Sequence, residues 1–289
     1  MRLLVTGAPG LLGAAIVREF TAAGWEVIAL DRTALDVTDG AAVAGRVGEA
    51  QADLVVNCVA YNDVDGAEKD PVTALQVNAL AVRSLAAAAR TAGATFVHFG
   101  TDFVFDGEID RPYVEDDRPN PRSVYGVSKL LGEWFALDLP RAYVLRVESL
   151  FGEPGPDGSR QGSLKGILVR LRAGEPLPVF VDRTVSPGYT TDIAAATRAL
   201  VERHAAPGIY HCVNAGATSW ADIAAEAARL LGLPLDMKPI TLESVKLPAR
   251  RPKYSALSVA KLAAAGIVMP AWQDALARHL EKAGERVNG

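Results

Sequence analysis

The segment YGVSK at 125–129 sets a phenol and an ammonium four residues apart, just after a run of turn-forming residues. On a helix, positions i and i+4 share a face, so Tyr125 and Lys129 can reach a common point. A free tyrosine titrates near ~10, too high for proton exchange at neutral pH, and an adjacent ammonium is expected to draw that value down. The spacing is common by chance, so five letters do not separate chemistry from two neighbours on a helix.

Two more patterns bear on the choice. In VTGAPGLLGAAIV (5–17), Gly7, Gly10 and Gly13 stand between an apolar run and a helical one. G-x-x-G-x-x-G at a strand-to-helix turn suits a tight bend, close approach of backbone to a pyrophosphate, and close packing of the helix on a sheet. Asp31 ends the next apolar run, where a carboxylate can bond the ribose hydroxyls of NAD; Arg32 beside it can face the 2′-phosphate of NADP. The two neighbours point to different cofactors, so both NADH and NADPH stay open.

These residues need elements to hold them. The runs LLVTG (3–7), EVIAL (26–30), DLVVNCVA (53–60), TFVHFG (95–100) and AYVLRV (142–147) are short, apolar and β-branched, as strands buried on both faces of a parallel sheet should be. Helix-patterned stretches separate them, and several close on Gly or Pro. The expected fold is therefore α/β: a doubly wound, Rossmann-type parallel sheet over 1–150, with a smaller interwoven C-terminal substrate-binding lobe over 151–289. Some segments of that lobe are expected to return to the first domain. FGEPGPDGSRQGS (151–163) reads as a long loop between them. Thr101, just beyond the fourth strand, falls where doubly wound sheets hold substrates.

Composition excludes some classes. The 289 residues carry a net charge of −4 with 22% charged residues, which argues against a nucleic-acid partner. No apolar stretch reads as long enough to cross a bilayer, and MRLLVTG enters a strand with no signal-peptide pattern, so no membrane partner and a cytoplasmic location are expected. Cys58 and Cys212 lie in apolar runs without metal-type spacing, and the four histidines are scattered, so no metal site is expected. His98 and the pair Trp134 and Phe135 read as packing residues.

Thr101, Tyr125 and Lys129 behind a glycine loop resemble the extended short-chain dehydrogenase/reductase superfamily. Within it, NCVAYNDVDGAEKDP (57–71), GTDFVFDG (100–107), EDDRPNPRSVYGVSK (115–129), VDRTVSP (181–187) and ARRPKYSAL (249–257) are similar to the dTDP-4-dehydrorhamnose reductase family. The resemblance implies reduction of a nucleotide-linked 4-keto sugar with NADPH or NADH, by a monomer or homodimer. It implies Tyr125 as proton donor, Lys129 as its partner and Thr101 as a hydrogen-bond donor to the carbonyl oxygen. Gly7, Gly10, Leu11, Leu12, Gly13, Asp31, Arg32, Asp36, Val37, Cys58, Val59, Ala60, Tyr61, Tyr125 and Lys129 would hold the cofactor. Thr101, Asp102, Phe103, Glu148, Ser149, Arg183 and Arg251 would meet the substrate, Arg251 at its diphosphate because guanidinium forks suit phosphate. Asn62, Val147-Glu148-Ser149 and Arg183 depart from the family pattern, all near the expected sugar site. Another nucleotide-sugar ketoreductase or a 4-epimerase, a cofactor-binding regulatory subunit, and a general carbonyl reductase remain alternatives. A dehydratase is disfavoured, because Phe103 stands where those enzymes carry a glutamate after Thr-Asp.

Overall fold

Five of the apolar runs become strands: β1 (Arg2–Thr6), β2 (Glu26–Leu30), β3 (Leu54–Asn57), β4 (Thr95–Thr101) and β5 (Ala142–Val147). This computed structural model describes residues 1–155, 162–285 and 287; positions 156–161 of the expected long loop lie outside the described residues. Shorter strands follow: β6 (Leu150–Phe151), β7 (Leu177–Phe180), β8 (Thr184–Val185), β9 (Gly188–Tyr189), β10 (Gly208–His211), β11 (Thr218–Ser219) and β12 (Met237–Ile240). The main sheet runs β10-β5-β4-β3-β1-β2 and is parallel throughout. Chain order reverses between β1 and β3, which opens a crevice at their C-terminal ends.

The helices are α1 (Leu11–Ala22), α2 (Gly40–Ala50), α3 (Val64–Lys69), α4 (Pro71–Leu75), α5 (Ala81–Ala92), α6 (Val124–Leu137), α7 (Lys165–Ala173), α8 (Thr190–Glu202), α9 (Trp220–Leu231), α10 (Ala260–Ala264) and α11 (Trp272–Lys282). Period-two alternation sorts the strand residues between the two faces of the sheet. Leu3, Val5, Leu54, Val56, Val97 and Phe99 join one core with Ile16 and Phe20 of α1 and Ile193 and Leu200 of α8. Leu4, Val55, Phe96 and Val144 join the other with Val43 of α2 and Leu85 of α5. The sheet is thus covered on both sides, a doubly wound Rossmann-type arrangement.

A third core gathers Phe151, Leu168, Leu171, Val179, Ile223, Trp272 and Leu276, from α7, α9, α11 and the short strands. Two segments after residue 150 belong to the main sheet instead: β10 pairs with β5, and α8 packs on α1 through the first core.

Two expectations are corrected. The run Pro71–Ala92 is a continuous 22-residue helical segment with mean hydropathy 1.3, long and apolar enough to cross a membrane by length and composition. Half of it is buried against the rest of the protein, with Asn78 fully enclosed at its centre. Trp134 is exposed rather than packed, because α6 turns Tyr125, Lys129 and Glu133 inward at i, i+4 and i+8 and leaves position 134 outside.

Candidate active site

A cleft of about 540 Å³ opens at the crevice, between the ends of the central strands and the second lobe. Gly10, Leu11, Leu12 and Gly13 form one wall with Cys58, Val59 and Ala60; Thr101, Asp102, Phe103, Tyr125 and Lys129 form the floor. Glu148, Ser149, Arg183 and Arg251 close the far side. Sixteen of the residues assigned to cofactor or substrate from the sequence therefore share one cavity, with Asn62 and Val147 beside them.

The glycine turn is shaped by contact distances. A Cβ on Gly13 would lie 2.1 Å from the Gly7 carbonyl oxygen, and Gly7 holds φ +69° with the backbone of Cys58 2.9 Å from where its Cβ would be. Only glycine fits either place. Gly10 caps α1 without a side chain, so the first amides of the helix face the cleft uncapped. That is the cradle a dinucleotide pyrophosphate requires, and the residues present fit one.

Thr101 ends β4 and caps a short 3₁₀ turn, Asp102–Val104, its Oγ1 accepting from Phe103 N–H at 3.3 Å. Tyr125 and Lys129 lie one turn apart on α6, whose start is fixed by the Ser123 hydroxyl accepting from Gly126 N–H at 3.1 Å. Lys129 Nζ donates to the Phe99 carbonyl at 2.5 Å. Burial lowers Lys129 from 10.5 to about 8, opposed by the charge of Glu133. The expected fall in the Tyr125 value is not found. Burial pushes the phenol well above its ordinary range, opposed only by a hydrogen bond from Thr101, while the Lys129 ammonium is held on Phe99.

Beside Thr101 lie three charged groups that the chain brings from distant segments. Asp102 is buried, and desolvation raises its carboxyl to about 6 against the charge of Arg183 and a bond from Thr101. Glu148 is raised well above the carboxylate range by burial and by Asp102, though Ser255 Oγ (2.5 Å) and Ser186 N–H (2.7 Å) both donate to it. Arg183 is lowered by desolvation, and its Nε has no hydrogen-bond partner; the same holds for Asp102 Oδ2. Ser149 sits at φ +45°, a left-handed conformation that bends the chain from β5 into the cleft. Arg251 reaches the cleft but forks onto Asp65, at 2.7 and 2.8 Å. Arg250 and Lys253 do not line it; Lys253 pairs with Glu243 on the surface.

Asp31, Arg32, Asp36 and Val37 lie off the cleft wall, past the end of β2. Asp31 Oδ1 accepts from Thr33 N–H, Thr33 Oγ1 and Ala34 N–H, and those bonds hold its carboxyl below the usual range. Asp36 is tied to Thr38 in the same manner, and Val37 is buried. Tyr61 stands behind the lining, its N–H on Asn78 Oδ1. Asn78 also donates to Tyr61 O and to Ser128 Oγ, from a single π-helical turn over Gln76–Leu80. This residue braces the segment of Tyr61, next to the cleft wall, against the helix of Tyr125.

Sequence reasoning missed Asn57, Ser163 and Trp220 on the cleft wall, and the fully buried pair of Glu133 and Arg146 beneath it. The pair had left a signal: an arginine inside the apolar strand AYVLRV needs a buried carboxylate. His98, expected to be a satisfied core residue, is bonded only at Nδ1, which faces Asn57 Nδ2 at 3.2 Å; Nε2 has no partner. Among the described residues no group of three or more His, Cys, Asp or Glu could hold a metal ion.

A family model described as the RmlD substrate binding domain matches residues 1–284. A protein named dTDP-4-dehydrorhamnose reductase from Streptomyces griseus is 41% identical over 92% of this chain and 88% of its own length. A Streptomyces antibioticus protein named probable dTDP-4,6-dihydroxy-2-methyloxan-3-one 4-ketoreductase is 38% identical over 96% of this chain and 93% of its own. Among solved structures, a dTDP-4-dehydrorhamnose reductase from Bacillus anthracis in complex with NADP superposes with a TM-score of 0.91 and 30% identity, covering 97% of this chain and 99% of that one.

Proposed function

The chain belongs to the RmlD substrate binding domain family, and we propose that it is a nicotinamide-dependent reductase of a dTDP-linked 4-keto-deoxysugar, with dTDP-4-dehydrorhamnose as first substrate. The observation that carries this reading is the convergence of Thr101, Tyr125 and Lys129 in one cleft with the glycine turn. The amides of Gly10–Gly13 and the wall of Cys58–Ala60 would hold a reduced nicotinamide cofactor, which would supply a hydride. Tyr125 gives its proton to the substrate oxygen as that oxygen gains charge. Thr101 donates a hydrogen bond to the same oxygen, a preorganised contribution of ~2.7–4 kcal/mol for one donor of this type. Lys129, charged below about pH 8, lies one turn from Tyr125 on the cleft floor and donates to the Phe99 carbonyl. Arg251 meets the diphosphate. Both cysteines are free thiols, which supports a reducing cytoplasm as the site of action.

The test is turnover by the purified protein of a panel of dTDP- and UDP-linked 4-keto sugars with NADPH and NADH, products identified by mass spectrometry. Tyr125→Phe removes one hydroxyl and keeps the ring, so it should bind cofactor normally and lose turnover by ~10²–10⁴-fold. Reduction by that variant at the wild-type rate would remove the proton-donor role. A second reading, a 4-ketoreductase for another deoxysugar, is favoured by Glu148, Ser149 and Arg183, which line the cleft and depart from the family pattern. The same panel decides between them.

A further inference from the structure

A hydroxyl has one proton to give and two lone pairs to receive, and Thr101 is over-subscribed. Its Oγ1 accepts from Phe103 N–H at 3.3 Å and lies 3.0 Å from Asp102 Oδ1. Thr101 also borders Tyr125 and favours its phenolate, so its hydrogen is needed on the side of the reacting oxygen. One proton cannot serve both Asp102 Oδ1 and that oxygen. An ionised Asp102 has only acceptors to offer, so it takes the Thr101 proton and leaves none for the reacting oxygen. A protonated Asp102 is itself a donor. It fills the second lone pair of Thr101 and releases the Thr101 proton toward the floor of the cleft.

We propose that Asp102 is a positioning residue for the reduction: its carboxyl must carry a proton for Thr101 to donate to the substrate oxygen. The inference rests on the proposed reduction and deepens it. The Asp102 carboxyl takes its proton from solvent, and the Thr101 hydrogen stays on its own oxygen and only turns from Asp102 Oδ1 toward the cleft.

The surroundings of Asp102 suit that task. It is 3% exposed, and its Oδ2 has no partner to anchor a charge. The charged and titratable groups facing it are Arg183 from the segment before β8, Glu148 from the end of β5 and Tyr125 from α6. Burial raises Asp102 to about 6, and Arg183 is the largest opposing influence. Arg183 makes no hydrogen bond or ion pair with either carboxyl among the described residues, so it acts through its charge. Removing that charge favours the protonated carboxyl.

The experiment is the single-turnover rate of NADPH oxidation at saturating 4-keto sugar, from pH 5.5 to 9, in four proteins. Wild type should show a descending limb near pH 6 as Asp102 loses its proton, a drop of ~10²–10³-fold as expected for losing one such donor, separate from the further fall near pH 8 that belongs to Lys129. Asp102→Asn, whose amide can present N–H to Thr101 at every pH, should lose this limb and stay within about tenfold of the acid rate. Arg183→Gln should move the limb to higher pH by about one unit, and Arg183→Lys should move it back. A wild-type rate that is flat over this range would overturn the inference. So would an unchanged limb in Asp102→Asn, or a limb in Arg183→Gln that stays or moves to lower pH. If Asp102→Asn fails to fold by circular dichroism, the two Arg183 variants decide alone, since both keep Asp102. Wild type that binds NADPH yet reduces none of the 4-keto sugars overturns the proposed function and this inference with it, an outcome distinct from every result above.

Discussion

Replacing Glu133 with glutamine exchanges one oxygen for an NH₂ and deletes a charge where neither partner touches water. Glu133 and Arg146 are 0% and 1% exposed at their side chains. Arg146 Nε lies 3.1 Å from both carboxylate oxygens, and Nη2 lies 2.8 Å from Oε2. The guanidinium also stands 5.0 Å over the ring of Phe105. Space is closed from the other side, since a Cβ on Gly100 would come within 2.2 Å of Glu133 Oε1. No water can take over the lost charge, so Glu133→Gln leaves a buried guanidinium facing an amide. Breaking a buried pair from one side costs about 3–5 kcal/mol, against a total stability of roughly 5–15 kcal/mol for a folded domain.

Urea denaturation followed by circular dichroism measures this directly. With an m-value of roughly 3 kcal/mol/M, the midpoint should fall by about 1 M or more. The double variant Glu133→Leu/Arg146→Met should recover most of the loss, because replacing both members of a buried pair with apolar groups is often neutral. The same variant has a functional signature. Glu133 sits one turn beyond Lys129, and its charge holds the Lys129 value up. In Glu133→Gln the lysine should lose its proton below about pH 8 and the alkaline limit of activity should move down with it. A midpoint shift under ~0.3 M with an unchanged alkaline limit would refute the argument that this pair is both buried and coupled to the site.

Lys129 should also be visible in stability alone: its value is about 8 folded and 10.5 when solvated, so between those values the unfolded chain holds a proton the folded one has released. Stability should therefore rise with pH across that window, by about 3 kcal/mol in full, and Lys129→Met should abolish the slope in pH-resolved denaturation. For cofactor choice, Asp31→Ala should weaken NADH more than NADPH and Arg32→Ala should do the reverse; equal small changes in both dissociation constants would place that loop away from the ribose. Arg251→Ala should raise the sugar-nucleotide KM by roughly ten- to a hundred-fold, the worth of a charge-assisted bond, with cofactor binding intact. Unchanged KM would mean that Asp65 holds Arg251 for structure only.

The sheet was legible because strands buried on both faces must be apolar throughout. EVIAL and AYVLRV match β2 and β5 residue for residue, whereas DLVVNCVA overran β3 by one residue at its start and three at its end. There Asn57 Oδ1 accepts Val59 N–H and turns the chain out of the sheet while the sequence is still apolar. The Tyr125–Lys129 pairing was legible because one helical period fixes it. The Asn78 brace was half legible: the sequence allows either a brace through backbone bonds or a plain helix-face asparagine, and it cannot choose, since a π turn has no composition of its own and the bonds to Tyr61 join residues 17 apart. Arg183 and Glu148 each read as an isolated departure from a family pattern. Only the fold places both beside Asp102, in a cleft where each charge acts on the others.

That juxtaposition links substrate binding to the chemistry. The cleft carries Lys129, Arg183 and Arg251 against Asp102 and Glu148, and Asp65, outside its lining, already pairs with Arg251. A sugar diphosphate drawn to the guanidinium side would bring negative charge next to Arg183 and exclude water from the cleft that Asp102 borders. Both effects oppose ionisation of Asp102, the first by weakening the field of Arg183 and the second by desolvation. Substrate in place therefore favours the protonation state in which Thr101 points its hydrogen at the reacting oxygen. The donor is least available when the cleft is wet and most available when the ketone has arrived, so part of the binding energy at the diphosphate is expressed at the carbonyl, where it lowers the barrier rather than KM.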